Sequence, residues 1–347
     1  KSSMKLNLDE IWAGALRELL VPTNRIVLTT HHNPDGDAVG SVLGLWHILE
    51  QVGVHATAVT PNDFPDFLSW MPGSDTILRF SSSRQKVREV MAGADIIICL
   101  DYNGFSRTED MESLFSASSA KKILIDHHPQ PENTFDLSIS VVEVSSTSEL
   151  VFELATEIYG LKALNADAAT CLYAGIMTDT GSFSYACSRG RTLEIAGMLV
   201  DSGAVVERIQ SLVYNNFSAD RMKLLGYCLA DKMMVFPEFH AAYIWLTREE
   251  LKRFNYQMGD TEGLVNYPLS IKGIIFSVIF VENDNHIKVS LRSRGNFSVN
   301  EFARKYYNGG GHLNAAGGKS FQPIDATLAD FEQLLRQHLQ ELNAAAI

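Results

Sequence analysis

Short apolar runs alternate with helical patterns through the first half of the chain, and this alternation limits the possible folds more than any other feature. The apolar runs cover residues 25–30, 55–60, 95–101, 121–128 and 138–144, and the clearest helical pattern covers residues 36–53. Strands that alternate with helices are typical of parallel sheets covered by helices. The pattern predicts an α/β fold with a doubly wound, mostly parallel sheet.

The second half of the chain predicts a smaller α/β domain, joined to the first by a helical linker. Residues 149–230 have a helical pattern, and apolar runs return at 240–247, 272–282 and 286–293. A loop is predicted over 310–320 and an amphipathic helix over 326–343. Two domains are the default expectation for 347 residues. The predicted boundaries are 1–208 for the first domain, 209–230 for the linker and 231–347 for the second domain.

Four groups of acidic and histidine residues stand where apolar elements end. The segment "HHNPDGD" (31–37) follows the first predicted strand, Asp101 ends another, "DHH" (126–128) ends a third, and Asp179 ends a helical segment. Open parallel sheets bind their ligands at the carboxyl ends of the strands. Carboxylates and imidazoles gathered at that edge could hold divalent metal ions.

Each group alone also has an ordinary structural explanation. Asn-Pro-Asp-Gly is a typical turn sequence, a strand end can carry a polar cap, and a helix often ends in a polar residue. An EF-hand is excluded because Val39 stands where an oxygen ligand is needed. A P-loop at "GGKS" (317–320) is excluded because Leu313 stands where that motif requires glycine. Only the combination of the four groups indicates a metal site.

The net charge of −12 restricts the partners of this chain. Proteins that hold long nucleic acids neutralise many phosphates with a broad basic surface, so a nucleic-acid substrate here should be short and locally bound. Metal ions could reverse the field inside one acidic cleft, which keeps phosphate substrates possible. The sequence shows neither a membrane-spanning run nor a secretory signal pattern, so we expect a cytoplasmic protein without a membrane partner.

The motifs H-x-N-P-D-x-D, a strand-end Asp, D-H-H and T-D-T-G, in this order, resemble the DHH phosphoesterase superfamily. That superfamily includes the RecJ exonucleases and the manganese-dependent family II inorganic pyrophosphatases. In the second half, "SLRSRG" (290–295) and "GGGHLNAAGG" (309–318) resemble the companion domain DHHA1. The stretch "GLVNYPLSIKGI" (263–274) resembles the compact subgroup of bifunctional oligoribonucleases and 3′-phosphoadenosine 5′-phosphate phosphatases, the nanoRNases.

The resemblance implies a site for two Mn²⁺ ions, with Mg²⁺ or Co²⁺ as substitutes. The implied ligands are His31, Asp35 and Asp101 for one ion, and Asp37, Asp101, His127 and Asp179 for the other. Asp101 would bridge the two ions and is an implied catalytic residue. Asp126 would orient a histidine through its other ring nitrogen. His128 would contact the substrate phosphate and donate a proton.

The DHHA1 domain is implied to recognise the substrate. The residues that match the phosphate-binding positions of the family are Arg292, Ser293, Gly309, Gly310, Gly311 and His312. An arginine fork suits a phosphate, and glycines let backbone N–H groups approach one closely. The plain alternative for an arginine at a strand end is a solvated charge, which we expect for Arg294.

The resemblance implies a metal-dependent phosphodiesterase that hydrolyses oligoribonucleotides of a few residues, including pApA and pGpG, to mononucleotides. A further implied substrate is 3′-phosphoadenosine 5′-phosphate, which would give AMP. Two alternatives within the enzyme class are hydrolysis of cyclic di-AMP and hydrolysis of polyphosphate or pyrophosphate. A non-catalytic nucleotide-binding protein is the alternative from another class. A homodimer is also consistent with the resemblance.

Overall fold

Two compact units make up the structure, a computed structural model that describes Leu6, Leu8 and residues 10–187 and 189–346. The units are Lys1–Asn216 and Phe217–Ile347, so the division falls inside the segment 209–230. Among the described residues, no helix is both long enough and apolar enough to cross a membrane. The two units are described separately below.

The first unit contains a six-stranded sheet in the order β3-β2-β1-β4-β5-β6, and every neighbouring pair is parallel. The strands are β1 (Ile26–Thr29), β2 (Ala56–Thr60), β3 (Leu78–Arg79), β4 (Ile96–Leu100), β5 (Lys121–Asp126) and β6 (Leu137–Ser140). The predicted doubly wound sheet is confirmed. The strand order reverses between β1 and β4, and a crevice for ligands opens at such a point.

Helices cover both faces of this sheet. They are α1 (Glu10–Leu19), α2 (Gly36–Gln51), α3 (Arg84–Ala92), α4 (Glu112–Ala117), α5 (Thr147–Tyr159), α6 (Ala166–Asp179), α7 (Gly190–Asp201) and α8 (Val206–Tyr214). Ile96 and Ile98 of β4 pack with α2, α5 and α6, whereas Ile97 and Cys99 pack on the opposite face with α3 and α4. Burial on both faces explains why the strand sequence "IIICL" is apolar without alternation.

Close packing of α2 against α6 brings the start of one helix to the end of the other. Gly40 lies at the contact, where a Cβ atom would stand 2.6 Å from the carbonyl oxygen of Cys171 and 3.0 Å from Gly175. Glycine at this position therefore permits a backbone approach that any other residue would block. The approach places Asp37, in the first turn of α2, near Asp179 at the last position of α6.

The second unit contains a mixed six-stranded sheet in the order β11-β12-β10-β9-β8-β7. Its strands are β7 (Met233–Phe236), β8 (Ala241–Leu246), β9 (Phe276–Glu282), β10 (Ile287–Ser293), β11 (Gly310–Gly311) and β12 (Ala315–Ser320). Its helices are α9 (Ala219–Tyr227), α10 (Arg248–Arg253), α11 (Val299–Tyr306), α12 (Ile324–Gln337) and α13 (Leu339–Ala345). Only β8 and β9 pair in parallel. The predicted smaller α/β domain is confirmed.

The structure corrects two predictions about elements of the second half. The segment 310–320, predicted as a loop, contains the paired strands β11 and β12. Its glycines allow close strand contact, since a Cβ on Gly311 of β11 would stand 2.7 Å from the Cα of Ala316 in β12. The helix predicted over 326–343 is interrupted at His338.

Candidate metal and active site

The predicted site residues of the first unit meet at the carboxyl edge of its sheet. They follow β1, β4 and β5, begin α2 and end α6. The residues brought together are His31, Asp35, Asp37, Asp101, Asp126, His127, His128 and Asp179. Because β1 and β4 are adjacent at the reversal of strand order, their end loops face the same crevice.

The "HHNPDGD" segment connects β1 to α2 and orients the side chains of His31 and Asp35 toward each other. Asp35 is the N-cap of α2, and its Oδ1 accepts hydrogen bonds from the N–H groups of Asp37 (3.1 Å) and Ala38 (3.0 Å). Its Oδ2 stands 3.9 Å from His31 Nε2. The Nδ1–H of His31 donates to the His32 carbonyl at 2.8 Å, so Nε2 is the nitrogen that faces the carboxylates.

Asp101 faces both histidine groups with one carboxylate. It follows β4 in a left-handed conformation with φ of 68°, which costs energy for a residue other than glycine. Its Oδ2 lies 3.8 Å from His31 Nε2, and its Oδ1 lies 3.4 Å from His127 Nε2. The side chain is buried at 2% exposure. A strained, buried carboxylate held between two imidazoles is typical of a functional residue.

Two sets of donor atoms result from this arrangement. In the first set, His31, Asp35 and Asp101 offer atoms within 4.8 Å of one another, and in the second Asp37, His127 and Asp179 do the same. His127 Nε2 lies 3.4 Å from Asp179 Oδ2 and 3.7 Å from Asp37 Oδ2. These separations exceed the usual hydrogen-bond length. The donors thus face one another at distances that leave room for a cation.

The N-terminus of α5 holds two of the carboxylates, a feature that the sequence analysis did not predict. The N–H groups of Thr147 and Ser148 donate to the two oxygens of Asp37 at 2.8 and 2.9 Å. The Thr147 hydroxyl donates to Asp101 Oδ1 at 2.9 Å. The available signal was the pattern Ser146-x-x-Glu149, which begins a helix and so offers free N–H groups to an anion.

Electrostatics among the carboxylates are unfavourable without a cation. Burial, followed by the charges of Asp101 and Asp179, raises the pKa of Asp37 well above its usual value. Burial and the charge of Asp101 also raise the pKa of Asp179, to about 7, although His127 opposes the shift. Burial would raise the pKa of Asp101 too, but His127 and His31 lower it on balance. A divalent cation would relieve this repulsion.

His128 contacts the carboxylate of Asp126, the residue directly before the two consecutive histidines. Its Nδ1 lies 2.6 Å from Oδ1 of Asp126, which is fully buried at the end of β5. Because an ionised carboxylate only accepts hydrogen bonds, Nδ1 carries the proton in this contact. His128 Nδ1 also stands 3.8 Å from Asp101 Oδ1. Asp126 therefore fixes the orientation of the ring beside the carboxylate cluster.

In the second unit, the predicted substrate-binding residues lie at the end of β10 and in the β11–β12 hairpin. Arg292 is half-buried, and its Nη1 donates to the Leu291 carbonyl at 2.9 Å. Ser293 is buried, and its hydroxyl donates to the Phe297 carbonyl (2.6 Å) and accepts from Asn314 Nδ2 (2.9 Å). The observed role of this hydroxyl is thus to hold the adjacent turn.

The backbone N–H groups of the glycine-rich hairpin are largely used within the unit. Gly309 donates to the Ala303 carbonyl at 3.3 Å, Gly311 to Asn300 Oδ1 at 2.9 Å, and His312 to the Ala315 carbonyl at 2.6 Å. The sequence analysis predicted that such N–H groups would approach a phosphate. In the structure the glycines instead permit close strand packing, and contact with a substrate stays a prediction for Gly309, Gly310, Gly311 and His312.

The donor set in the first unit fits divalent metal ions. It combines carboxylate oxygens with imidazole nitrogens, the ligand types that Mn²⁺, Mg²⁺ and related ions bind in proteins. Ions about 3.5–4 Å apart can activate water and stabilise charge during attack on phosphorus. The arrangement can therefore support hydrolysis of a phosphate ester.

Comparison with known proteins agrees with this chemistry. The DHH family, N-terminal domain, matches residues 25–176, and the DHHA1 domain matches residues 238–343. The bifunctional oligoribonuclease and PAP phosphatase NrnA of Bacillus subtilis is 34% identical over 319 residues, which cover 90% of this chain and 95% of that protein. The cyclic-di-AMP phosphodiesterase GdpP of Geobacillus thermodenitrificans is 26% identical, and the match covers 94% of this chain but only 49% of GdpP.

One solved structure is similar along the full chain. The crystal structure of an exopolyphosphatase-related protein from Bacteroides fragilis has a TM-score of 0.92 and 39% sequence identity. The match covers 98% of this chain and 100% of that one. Fold and sequence similarity thus agree in both halves of the chain, and the site chemistry agrees with them in the first half.

Proposed function

The chain belongs to the DHH family of phosphoesterases, and we propose that it is a two-metal phosphodiesterase that hydrolyses very short oligoribonucleotides. Linear dinucleotides such as pApA and pGpG would give mononucleotides, and 3′-phosphoadenosine 5′-phosphate would give AMP. The observation that supports this proposal most is the pair of donor sets together with the Asp101 carboxylate, which has one oxygen near His31 of the first set and the other near His127 of the second. The naming of the Bacillus subtilis relative as a bifunctional oligoribonuclease and PAP phosphatase supports the substrate class.

We assign the ligands by the two donor sets. One ion would bind His31, Asp35 and Asp101, and the other Asp37, Asp101, His127 and Asp179. Mn²⁺ is the proposed ion, because a mixed set of carboxylates and imidazoles suits it, and Mg²⁺ or Co²⁺ would substitute. When bound, the two ions would lower the pKa of an attacking water and neutralise charge on the phosphate.

The protein's own groups would then orient the substrate and move a proton. The N–H groups at the start of α5 hold Asp37, and the Thr147 hydroxyl holds Asp101, so both carboxylates stay fixed during turnover. His128 would contact the phosphate and donate a proton to the departing oxygen, while Asp126 keeps its ring in place. Burial of these groups strengthens each electrostatic contact.

The second unit would supply recognition of the nucleotide. We assign the phosphate contact to Arg292, because its guanidinium offers a planar fork of N–H donors. Gly309, Gly310, Gly311 and His312 would contribute contacts at the adjacent hairpin, while Ser293 would hold the turn between them. The net charge of −12 agrees with a substrate that contacts few phosphates.

A product analysis tests the proposal. Purified protein with Mn²⁺ is offered pApA, 3′-phosphoadenosine 5′-phosphate, cyclic di-AMP and pyrophosphate in separate reactions, and products are separated by chromatography. We expect rapid release of AMP from the first two substrates, and loss of activity with chelator or in Asp101→Ala. Preferential turnover of cyclic di-AMP or pyrophosphate would contradict the substrate class. Nucleotide binding without turnover would contradict the enzymatic assignment.

A further inference from the structure

An arginine that the metal and phosphate assignments above do not use stands beside the carboxylate cluster. Arg107 lies in the segment that follows β4, within the short 3₁₀ helix Phe105–Met111 and six positions after Asp101. Its N–H donates to the Gly104 carbonyl at 3.1 Å, and its own carbonyl accepts from the N–H of His32 at 2.8 Å. The backbone of Arg107 is therefore tied directly to the loop that carries His31.

The segment that carries Arg107 is also fixed from its other side. Glu132, which follows the "DHH" segment, accepts hydrogen bonds from the Phe105 N–H at 3.3 Å and from the Ser106 hydroxyl at 3.2 Å. The N–H of Glu132 donates to the Asn103 carbonyl at 2.7 Å. The loops after β1, β4 and β5 are thus joined by hydrogen bonds, which hold the origin of the Arg107 side chain in place before any substrate binds.

The side chain of Arg107 is exposed, and within the described part of the chain no carboxylate lies at ion-pair distance from it. Its backbone lies beside the loop that carries His31, because the Arg107 carbonyl accepts the hydrogen bond from the His32 N–H. An arginine so placed beside several acidic groups has its donors available for an incoming anion.

We propose that Arg107 is a substrate-binding residue whose guanidinium binds the non-bridging oxygens of the phosphate that is cleaved. The proposal rests on the proposed function and adds to it a phosphate contact within the first unit. The cleaved phosphate must reach the His31 and Asp101 donors, and the backbone of Arg107 is hydrogen-bonded to the residue that follows His31. A guanidinium fork matches two phosphate oxygens and stabilises negative charge that develops on them.

The test compares Arg107→Ala and Arg107→Lys with a matched control, Arg84→Ala. Arg84 is an exposed arginine of the same unit that pairs with Asp110 at 3.1 Å, outside the carboxylate cluster. The substrates are pApA, ApA without its 5′-phosphate, and bis(p-nitrophenyl) phosphate, which has no base or sugar. We expect Arg107→Ala to lower kcat/KM about 100-fold for all three. Arg107→Lys should recover part of the loss, and Arg84→Ala should leave kcat/KM unchanged.

Metal content and substrate dependence separate the possible outcomes. An equal loss on all three substrates, with the Mn²⁺ content unchanged, supports the contact with the cleaved phosphate. A loss confined to pApA would overturn it in favour of the terminal phosphate, and a loss of bound Mn²⁺ would assign Arg107 a structural role. Unchanged activity would also overturn it. If the wild type cleaved only bis(p-nitrophenyl) phosphate, the proposed substrate class would fail while the Arg107 test still gave an answer.

Discussion

Individual side chains explain why the carboxylate cluster is both strained and ordered. Asp101 adopts a left-handed backbone conformation. Its carboxylate accepts a hydrogen bond from the Thr147 hydroxyl and lies between two imidazoles. Asp37 receives two backbone N–H donors from α5. Such supporting contacts fix the ligand atoms before a metal ion arrives, and their removal commonly lowers metal affinity or activity.

The Thr147 hydroxyl is predicted to contribute to metal affinity. Thr147→Val removes the hydrogen bond to Asp101 and keeps the shape of the side chain, so we expect Mn²⁺ affinity or kcat to fall about 10- to 100-fold. Thr147→Ser should retain most of both. The control is Thr156→Val, whose hydroxyl bonds only within α5, at 2.8 Å to the Phe152 carbonyl. Equal behaviour of the Thr147 and Thr156 variants in a Mn²⁺ titration would refute the assigned role.

His128 is predicted to act on turnover rather than on metal binding. Asp126 fixes the ring of His128 through Nδ1, and the proposed role of that ring is to donate a proton. His128→Asn should therefore lower kcat about 100-fold and leave the Mn²⁺ content of the protein unchanged. His127→Asn is the informative comparison, since His127 faces three carboxylates and its loss should lower the Mn²⁺ content. The prediction fails if both variants lose the same amount of bound Mn²⁺.

Some of these residues could be predicted from the sequence, and others could not. The strand-end rule located His31, Asp101 and His127, because adjacent parallel strands bring their ends together whatever lies between them in the chain. Thr147 was missed, since its partner Asp101 is 46 positions away and a threonine at a helix start looks like an ordinary cap. Ser293 was assigned to substrate by resemblance, yet burial and two hydrogen bonds engage its hydroxyl inside the unit.

At the level of elements, the contact between α2 and α6 sets the distance between two predicted ligands. Gly40→Ala places a methyl group 2.6 Å from the Cys171 carbonyl, so the helices must separate. We expect the free energy of unfolding to fall by about 1–3 kcal/mol in urea denaturation. Activity should fall as well, because Asp37 and Asp179 move apart.

The control for this helix contact is Gly197→Ala on α7, where a Cβ would meet nothing within 4 Å. Alanine there should stabilise the protein by up to about 1 kcal/mol, because it favours helix more than glycine does. If both variants shifted the urea midpoint in the same direction, close packing of α2 against α6 would not explain the effect.

Elements with strong periodicity were predictable, whereas short or glycine-rich ones were not. The five predicted strands of the first sheet are present, and the central strands β1 and β4, which are buried on both faces, read as apolar runs. The two-residue strand β3 has no such run. The hairpin of β11 and β12 was predicted as a loop, because glycine has low strand propensity.

At the scale of the whole molecule, the acidic character of the chain couples metal binding to stability. Desolvated carboxylates repel one another in the cluster, and bound cations would remove that cost. We expect Mn²⁺ at about 100 times its dissociation constant to stabilise the protein by about 2.7 kcal/mol, and a chelator to reverse the effect. Thermal unfolding with and without Mn²⁺ measures this change.

Two variants test whether that stabilisation comes from the carboxylate cluster. Asp101→Ala should abolish the response to Mn²⁺, because our assignment makes this carboxylate a ligand of both ions. Asp63→Ala removes an exposed carboxylate that pairs with Arg79 at 2.9 Å, and it should leave the response intact. A Mn²⁺ response that survived in Asp101→Ala would show that the stabilising ion binds elsewhere.

The central claim is that one carboxylate joins two metal ions in a single catalytic site. Elemental analysis of the protein after equilibration with Mn²⁺ and removal of free metal tests it most directly, with wild type and Asp101→Ala compared at equal folded concentration. Our account predicts two Mn²⁺ per wild-type chain and fewer than one per Asp101→Ala chain. One ion per wild-type chain, or two ions retained without the Asp101 carboxylate, would contradict it.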